Sequence, residues 1–176
     1  LINQKLTRDI PEQEIAEYYG KNKELFKLES PLIKGLFIKV PLTAPQLNNV
    51  RRWYKSDKQD AVESLEKYSL QNAVKYAYFY DKWVSVTDVL DLIPLKVEAP
   101  EEYVNKHRQV ELKDTAFYYF LNVSDYRGAG EEKPYEFARA EVKDLLVNQK
   151  RVSFMEQVKR DLYQQAASKK KIIYNY

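Results

Sequence analysis

Histidine, cysteine and closely placed carboxylates do most of the acid, base and nucleophilic chemistry of proteins near neutral pH. This chain holds few of them in usable spacing. Its lone histidine, His107, sits in the charged run Asn105-Lys106-His107-Arg108, where it reads as a solvated surface residue that cannot build a multi-histidine metal site. Cysteine is absent, which excludes disulfides, thiolate metal sites and a cysteine nucleophile. The acidic pairs Glu101-Glu102 and Glu131-Glu132 fall in helix-start or loop sequence without a partner histidine, and read as solvated caps. There is no glycine-rich phosphate loop, no G-x-S-x-G elbow and no metal-ligand spacing, so neither metal nor cofactor is expected. Asn122-Val123-Ser124 matches a glycosylation acceptor but lies in a predicted strand.

Tyrosine is the unusual residue. There are 15 in 176 positions, and each couples a rigid apolar ring to a polar tip, which suits a surface gripping varied partners at low entropic cost. Tyr76, Tyr78 and Tyr80 share one face of a predicted strand beside Trp83. Such a row is either a stacking shelf or one wall of the core, because tyrosines also fit half-buried sheet faces.

These side chains must be placed by a single domain with a helical extension, the most that this length allows. No apolar run approaches the ~20 residues that span a bilayer. The chain opens on Leu1 and reads as a fragment or mature form of a longer protein, with any targeting segment gone. Basic and acidic residues, 29 against 26, are interleaved for a net charge of +3, so a nucleic-acid partner is not expected. The one pure basic run, Lys169-Lys170-Lys171, suits the C-terminal dipole of a helix.

Periodicity predicts a helix over 9–27, a strand over 32–40 between Pro31 and Pro41, and two helices marked by Leu47, Val50, Trp53, Tyr54 and by Val62, Leu65, Tyr68. A strand over 74–80 follows, then a helix over 83–93, a helical turn after Pro100, and a hairpin of 109–113 with 116–123. Pro134 opens the longest helical pattern, to Lys169 or roughly 50 Å, and 172–176 reads as a short strand. The order is that of an α+β domain with an antiparallel-rich sheet, flanked by helices. Residues 1–30 are expected as an N-terminal helix, 31–127 as the sheet domain and 128–176 as the long helix with its terminal strand. The N-terminal helix, through Tyr18, Tyr19 and Phe26, is expected to pack near Met155, Val158 and Leu162 as a separate helical lobe.

Three stretches resemble the parvulin-type peptidyl-prolyl isomerases, in the branch of bacterial cell-envelope foldases and chaperones of the SurA, PpiD and PrsA kind. Glu14 to Phe26 is similar to the helix leading into a parvulin domain, Ile33 to Val40 to the first parvulin strand, and Phe117 to Val123 to the last. Tyr68-Ser69 at the end of the second helix also fits. The resemblance implies a parvulin-like fold and a histidine in each of the first and last strands. Those positions fall here on Gly35 and Tyr119, and the expected Gly-Gly-Asp-Leu-Gly loop is replaced by Ala77-Tyr78-Phe79-Tyr80-Asp81.

The leading expectation is therefore a SurA-like chaperone domain of the periplasm or cell envelope. It would hold extended, unfolded polypeptides against Phe37, Tyr78, Tyr80, Trp83 and Tyr119, with no catalytic residue among them. Prolyl isomerisation lowers a barrier of ~18–20 kcal/mol by twisting and desolvating one amide, which needs no acid or base, so an isomerase with an altered site is the alternative. A structural or assembly subunit, its groove filled by its own side chains, is the third.

Overall fold

The structure is a computed structural model that describes residues 10–174, with side chains to residue 168. Its elements are α1 (Glu12–Lys21), a 3-10 turn (Lys23–Leu25), β1 (Leu32–Pro41), α2 (Leu47–Tyr54), α3 (Gln59–Asn72), β2 (Lys75–Ser85), α4 (Val86–Leu90), α5 (Pro100–Lys106), β3 (Gln109–Lys113), β4 (Phe117–Arg127) and α6 (Tyr135–Tyr174). This is an α+β arrangement with a four-stranded antiparallel sheet. The chain divides into two units, one of Lys27–Glu132 and one joining the segment up to Phe26 with Lys133 onward.

In the sheet unit the four strands are antiparallel in the order β2-β1-β4-β3. β1 is an interior strand buried on both faces, which is why its sequence runs almost continuously apolar instead of alternating. Ile33, Phe37, Phe79, Tyr119, Leu121 and Val123 form one face, covered by Val86 and Val89 of α4, by Ile93 in the segment after it, and by Val104 of α5. Leu36, Ile38, Val40 and Phe120 form the other, covered by Val50 and Tyr54 of α2 and by Leu65 and Tyr68 of α3.

The helix expected over 83–93 is mostly not formed: β2 continues through Trp83 to Ser85, and only Val86–Leu90 is α-helical. The cause is pairing. Leu32 and Ile33 take Ser85 and Val84 as partners, whereas Gly35 takes Phe79, so the chain bulges outward between them. Sequence spacing of Val86, Val89 and Leu90 cannot reveal a register held by a distant strand.

In the helical unit, Glu12 and Glu14 occupy the first turn of α1 and Lys21 its last, matching the helix dipole. Asn22 Nδ2 donates to the Tyr18 carbonyl at 2.9 Å and closes the helix, short of the 9–27 expected; Asp9 lies outside the described residues. Ile15 and Phe26 are buried against Ala138, Val142 and Leu146, which recur every four residues as a stripe along α6. Tyr19 donates to the Lys133 carbonyl at 2.5 Å, and its ring stacks on Phe26. Arg139 Nε reaches both oxygens of Glu12 at 2.7 and 2.9 Å, and the Tyr135 hydroxyl also donates to Glu12.

The contact expected near Met155, Val158 and Leu162 is thereby corrected. Lys133 N–H donates to the Phe26 carbonyl at 2.7 Å, so the ten-residue α1 is tied to the first turns of α6. At ~1.5 Å per residue it reaches no further than the Lys150 ion pair with Glu14 at 3.2 Å. Leu162 is 60% exposed. Nor does 172–174 form a strand, because α6 continues through Tyr174; Asn175 and Tyr176 lie outside the described residues. Among the described residues no helix is long and apolar enough to cross a membrane.

Phe26→Ala should cost about 3–5 kcal/mol of the helical unit's stability, while Leu162→Ala should change it by less than ~0.5 kcal/mol. Urea unfolding followed by circular dichroism checks both. A large loss from Leu162→Ala would return the contact to the distal half of α6.

Candidate functional site

The positions expected to carry histidine are closed by the pairing of β1 with β4. Gly35 lies opposite Val123, and a Cβ built on it would stand 2.0 Å from the Asn122 carbonyl oxygen and 3.3 Å from the Phe79 ring. That obstacle is backbone, so no side chain fits there unless the two strands part. Tyr119 is 5% exposed, and its hydroxyl donates to Asp114 Oδ2 at 2.6 Å. Asp114 Oδ1 in turn accepts the N–H groups of Ala116 and Phe117 at 2.9 and 2.8 Å, which locks the β3–β4 turn. Lys39 Nζ stands 4.2 Å from the Phe117 ring centre and 5.4 Å from that of Tyr119. The Tyr119 hydroxyl is thus already committed, and its bond to Asp114, followed by burial, pushes its pKa up to about 12.

Register also decides the fate of the five residues expected to bind polypeptide. Phe37 pairs with Leu121, and with Tyr119 it belongs to the core face under α4 and α5. Tyr80 belongs to the opposite face, where it accepts a hydrogen bond from Asn122 Nδ2 at 2.8 Å. Tyr78 sets its ring edge-on to Tyr80 at 5.5 Å. Trp83 is half-buried, with Lys34 Nζ 4.9 Å and the Arg127 guanidinium carbon 5.4 Å from its ring. The five do not form one surface. Phe37 and Tyr119 are interior because the two inner strands put them there, and this corrects the expectation that they line a groove. Asn122 is likewise buried, so the acceptor residue of its glycosylation-like triplet is internal. His107 is exposed and stacked on Tyr103 at 4.0 Å.

What the structure leaves open is the outer edge of β2. Among the described residues no strand pairs with it and no backbone hydrogen bond reaches it from outside. Leu70 is 88% exposed, Val74 56% and Tyr78 38%, alongside a groove of about 510 Å³ between α3 and β2. Leu70, Tyr76, Ser69, Glu63, Glu66 and Lys67 line it. The Tyr76 hydroxyl is buried without a hydrogen-bond partner among the described residues, which ordinarily costs about 1–3 kcal/mol. Burial, and then the charge of Glu66, drive its pKa far above the usual tyrosine value. Residue spacing did place Val74, Tyr76 and Tyr78 on one face, but the strand's edge position and the role of Leu70 carry no sequence signal.

The other edge is different. β3 has five residues, and Glu111, held to Arg51 at 2.8 Å, and Lys113 stand on its solvent side. Charged residues on a short edge strand discourage further pairing. Between Tyr76 and Tyr80, by contrast, β2 has no charge.

No family model matches the chain, and no curated protein matches it. Among solved structures, the chain is similar to one from Campylobacter jejuni, described with the virulence factor PEB4 and the periplasmic protein Cj1289 as two structurally related SurA-like chaperones. Identity is 8%, the TM-score is 0.35, and the match covers 93% of this chain and 66% of that one. Among the described residues no cluster of acidic or histidine side chains could hold a metal ion.

Gly35→Ala should destabilise the sheet unit by about 1–3 kcal/mol. A second outcome concerns acid. The Tyr119 hydroxyl, then the Ala116 and Phe117 amides and the charge of Lys39, hold the Asp114 carboxyl below its ordinary value. A lowered folded-state pKa contributes stability above the unfolded value of ~4 that is lost as pH falls through the folded value. Asp114→Asn should flatten that part of the acid limb in urea midpoints measured across it. An unchanged acid limb would remove Asp114 from the account.

Proposed function

We propose that this chain is a chaperone-like domain of the SurA kind, holding extended segments of unfolded polypeptide along the free edge of β2. One observation carries this: β2 is an 11-residue unpaired edge, uncharged from Tyr76 to Tyr80, beside exposed Leu70, Val74 and Tyr78. An added strand would gain main-chain hydrogen bonds that are blind to sequence, and alternate side chains would meet apolar and aromatic surface. Such binding is weak, tolerant and apolar in preference. Location in the bacterial periplasm or cell envelope, with unfolded envelope proteins as partners, belongs to the same proposal and follows from the resemblance in the first and last strands. Prolyl isomerisation is not part of it, because Gly35 has no room for a side chain and the Tyr119 hydroxyl is bound to Asp114.

The buried state of Phe37 and Tyr119 favours, as a second reading, a structural or assembly subunit whose former groove is filled. Phe154, Met155, Leu162 and Tyr163, all exposed on α6, would then make the contacts.

Capture of a reduced, carboxymethylated polypeptide separates the two. Leu70→Ser combined with Tyr78→Ser should weaken capture about tenfold, ~1.4 kcal/mol, with the fold intact. N-methylation of alternate residues in an extended peptide should abolish its binding. Full capture by the double variant, or indifference to N-methylation, would move the subunit reading ahead. The chain should also leave the cis-to-trans rate of a proline-containing test peptide unchanged.

A further inference from the structure

The groove between α3 and β2 holds two features that an apolar docking edge does not explain. The Tyr76 hydroxyl at its wall is buried without a partner, and acidic side chains stand over it. Glu63 and Glu66 lie three residues apart on the exposed side of α3. Glu63 Oε1 already accepts the Gln59 amide at 2.8 Å, whereas the Glu66 carboxylate makes no hydrogen bond or ion pair among the described residues. Lys67, also in the lining, is shared with the adjoining groove beside Trp53 and Tyr68. After burial, the charge that acts on the Tyr76 hydroxyl near neutral pH is that of Glu66, and it holds the proton on.

We infer that this groove is a subsite for an arginine side chain of the segment paired with β2. The proposal rests on the reading of β2 as the docking edge and adds a preference to it. A guanidinium supplies donors to both oxygen-bearing groups of the site. Its N–H groups donate to the orphaned Tyr76 oxygen and to the free Glu66 carboxylate, while its flat face and aliphatic stem lie against the Tyr76 ring and Leu70. A carboxylate in the same place would face Glu63 and Glu66. An alkyl side chain would fill the space but leave the hydroxyl unpartnered. Clients bound here are therefore extended segments in which a basic residue alternates with apolar ones.

Three capped hexapeptides of identical alternating sequence, with arginine, norleucine or glutamate at one central position, test this against the full chain at low salt. Arginine should bind at least fivefold more tightly than norleucine, and glutamate most weakly. Glu66→Gln, a surface change that leaves the core untouched, should bring the arginine-to-norleucine affinity ratio close to one, as should Tyr76→Phe, with the circular dichroism spectrum of each variant unchanged. Equal binding of the arginine and norleucine peptides, or an arginine advantage that survives Glu66→Gln, overturns the subsite and leaves the docking edge standing. Failure of all three peptides to bind overturns both.

Discussion

The close approach of β1 to β4 at Gly35 governs the sheet unit. With 2.0 Å between a notional Cβ and the Asn122 carbonyl oxygen, the backbone alone fits. That contact lies at a register shift where Lys34 pairs with Asp125 and Gly35 with Val123. From there toward the Pro41 end, Phe37 meets Leu121 and Lys39 meets Tyr119. One consequence is chemical: the strand position from which a catalytic side chain would project has none. Another is architectural: both inner strands are buried on both faces, so whatever binding surface this unit has must lie at an edge or on its helices.

The two edges are protected unequally. β3 is short, and its charges are engaged with Arg51 or open to water, which makes the addition of a further strand unfavourable. β2 is longer, its Tyr76–Tyr80 stretch is uncharged, and α3 leaves Leu70 in solvent beside it. An unpaired edge of this kind is open to pairing with another chain, and the capture of extended segments proposed above would use that same property. The hydroxyl of Tyr76 on the same strand is buried without a hydrogen-bond partner among the described residues, a standing cost of the unoccupied groove.

The helical unit follows simpler rules. Ala138, Val142 and Leu146 present a stripe wide enough for one ten-residue helix, and the aromatic group of Tyr18, Tyr19, Phe26 and Tyr135 fills the space between. Beyond Lys150 most apolar residues of α6, Val152, Phe154, Met155, Leu162 and Tyr163 among them, are exposed.

Local pattern was enough for the α+β class, the prolines bounding β1, the hairpin of β3 with β4, the long helix after Pro134 and the shared face of Tyr76, Tyr78 and Tyr80. Each depends on interactions within a few residues, where spacing and turn chemistry act directly. The continuation of β2 through Trp83 was hidden, because a bulge is held by the strand across from it and not by its own residues. The separation of Phe37 and Tyr119 from Tyr78 and Tyr80 was hidden for the same reason: alternation says that a strand has two faces, but pairing register decides which face of the sheet each one joins. The Gly35 approach, the open edge of β2 and the unpartnered Tyr76 hydroxyl exist only once distant segments meet, so tertiary structure alone decided which strand edge is left open and which positions are closed.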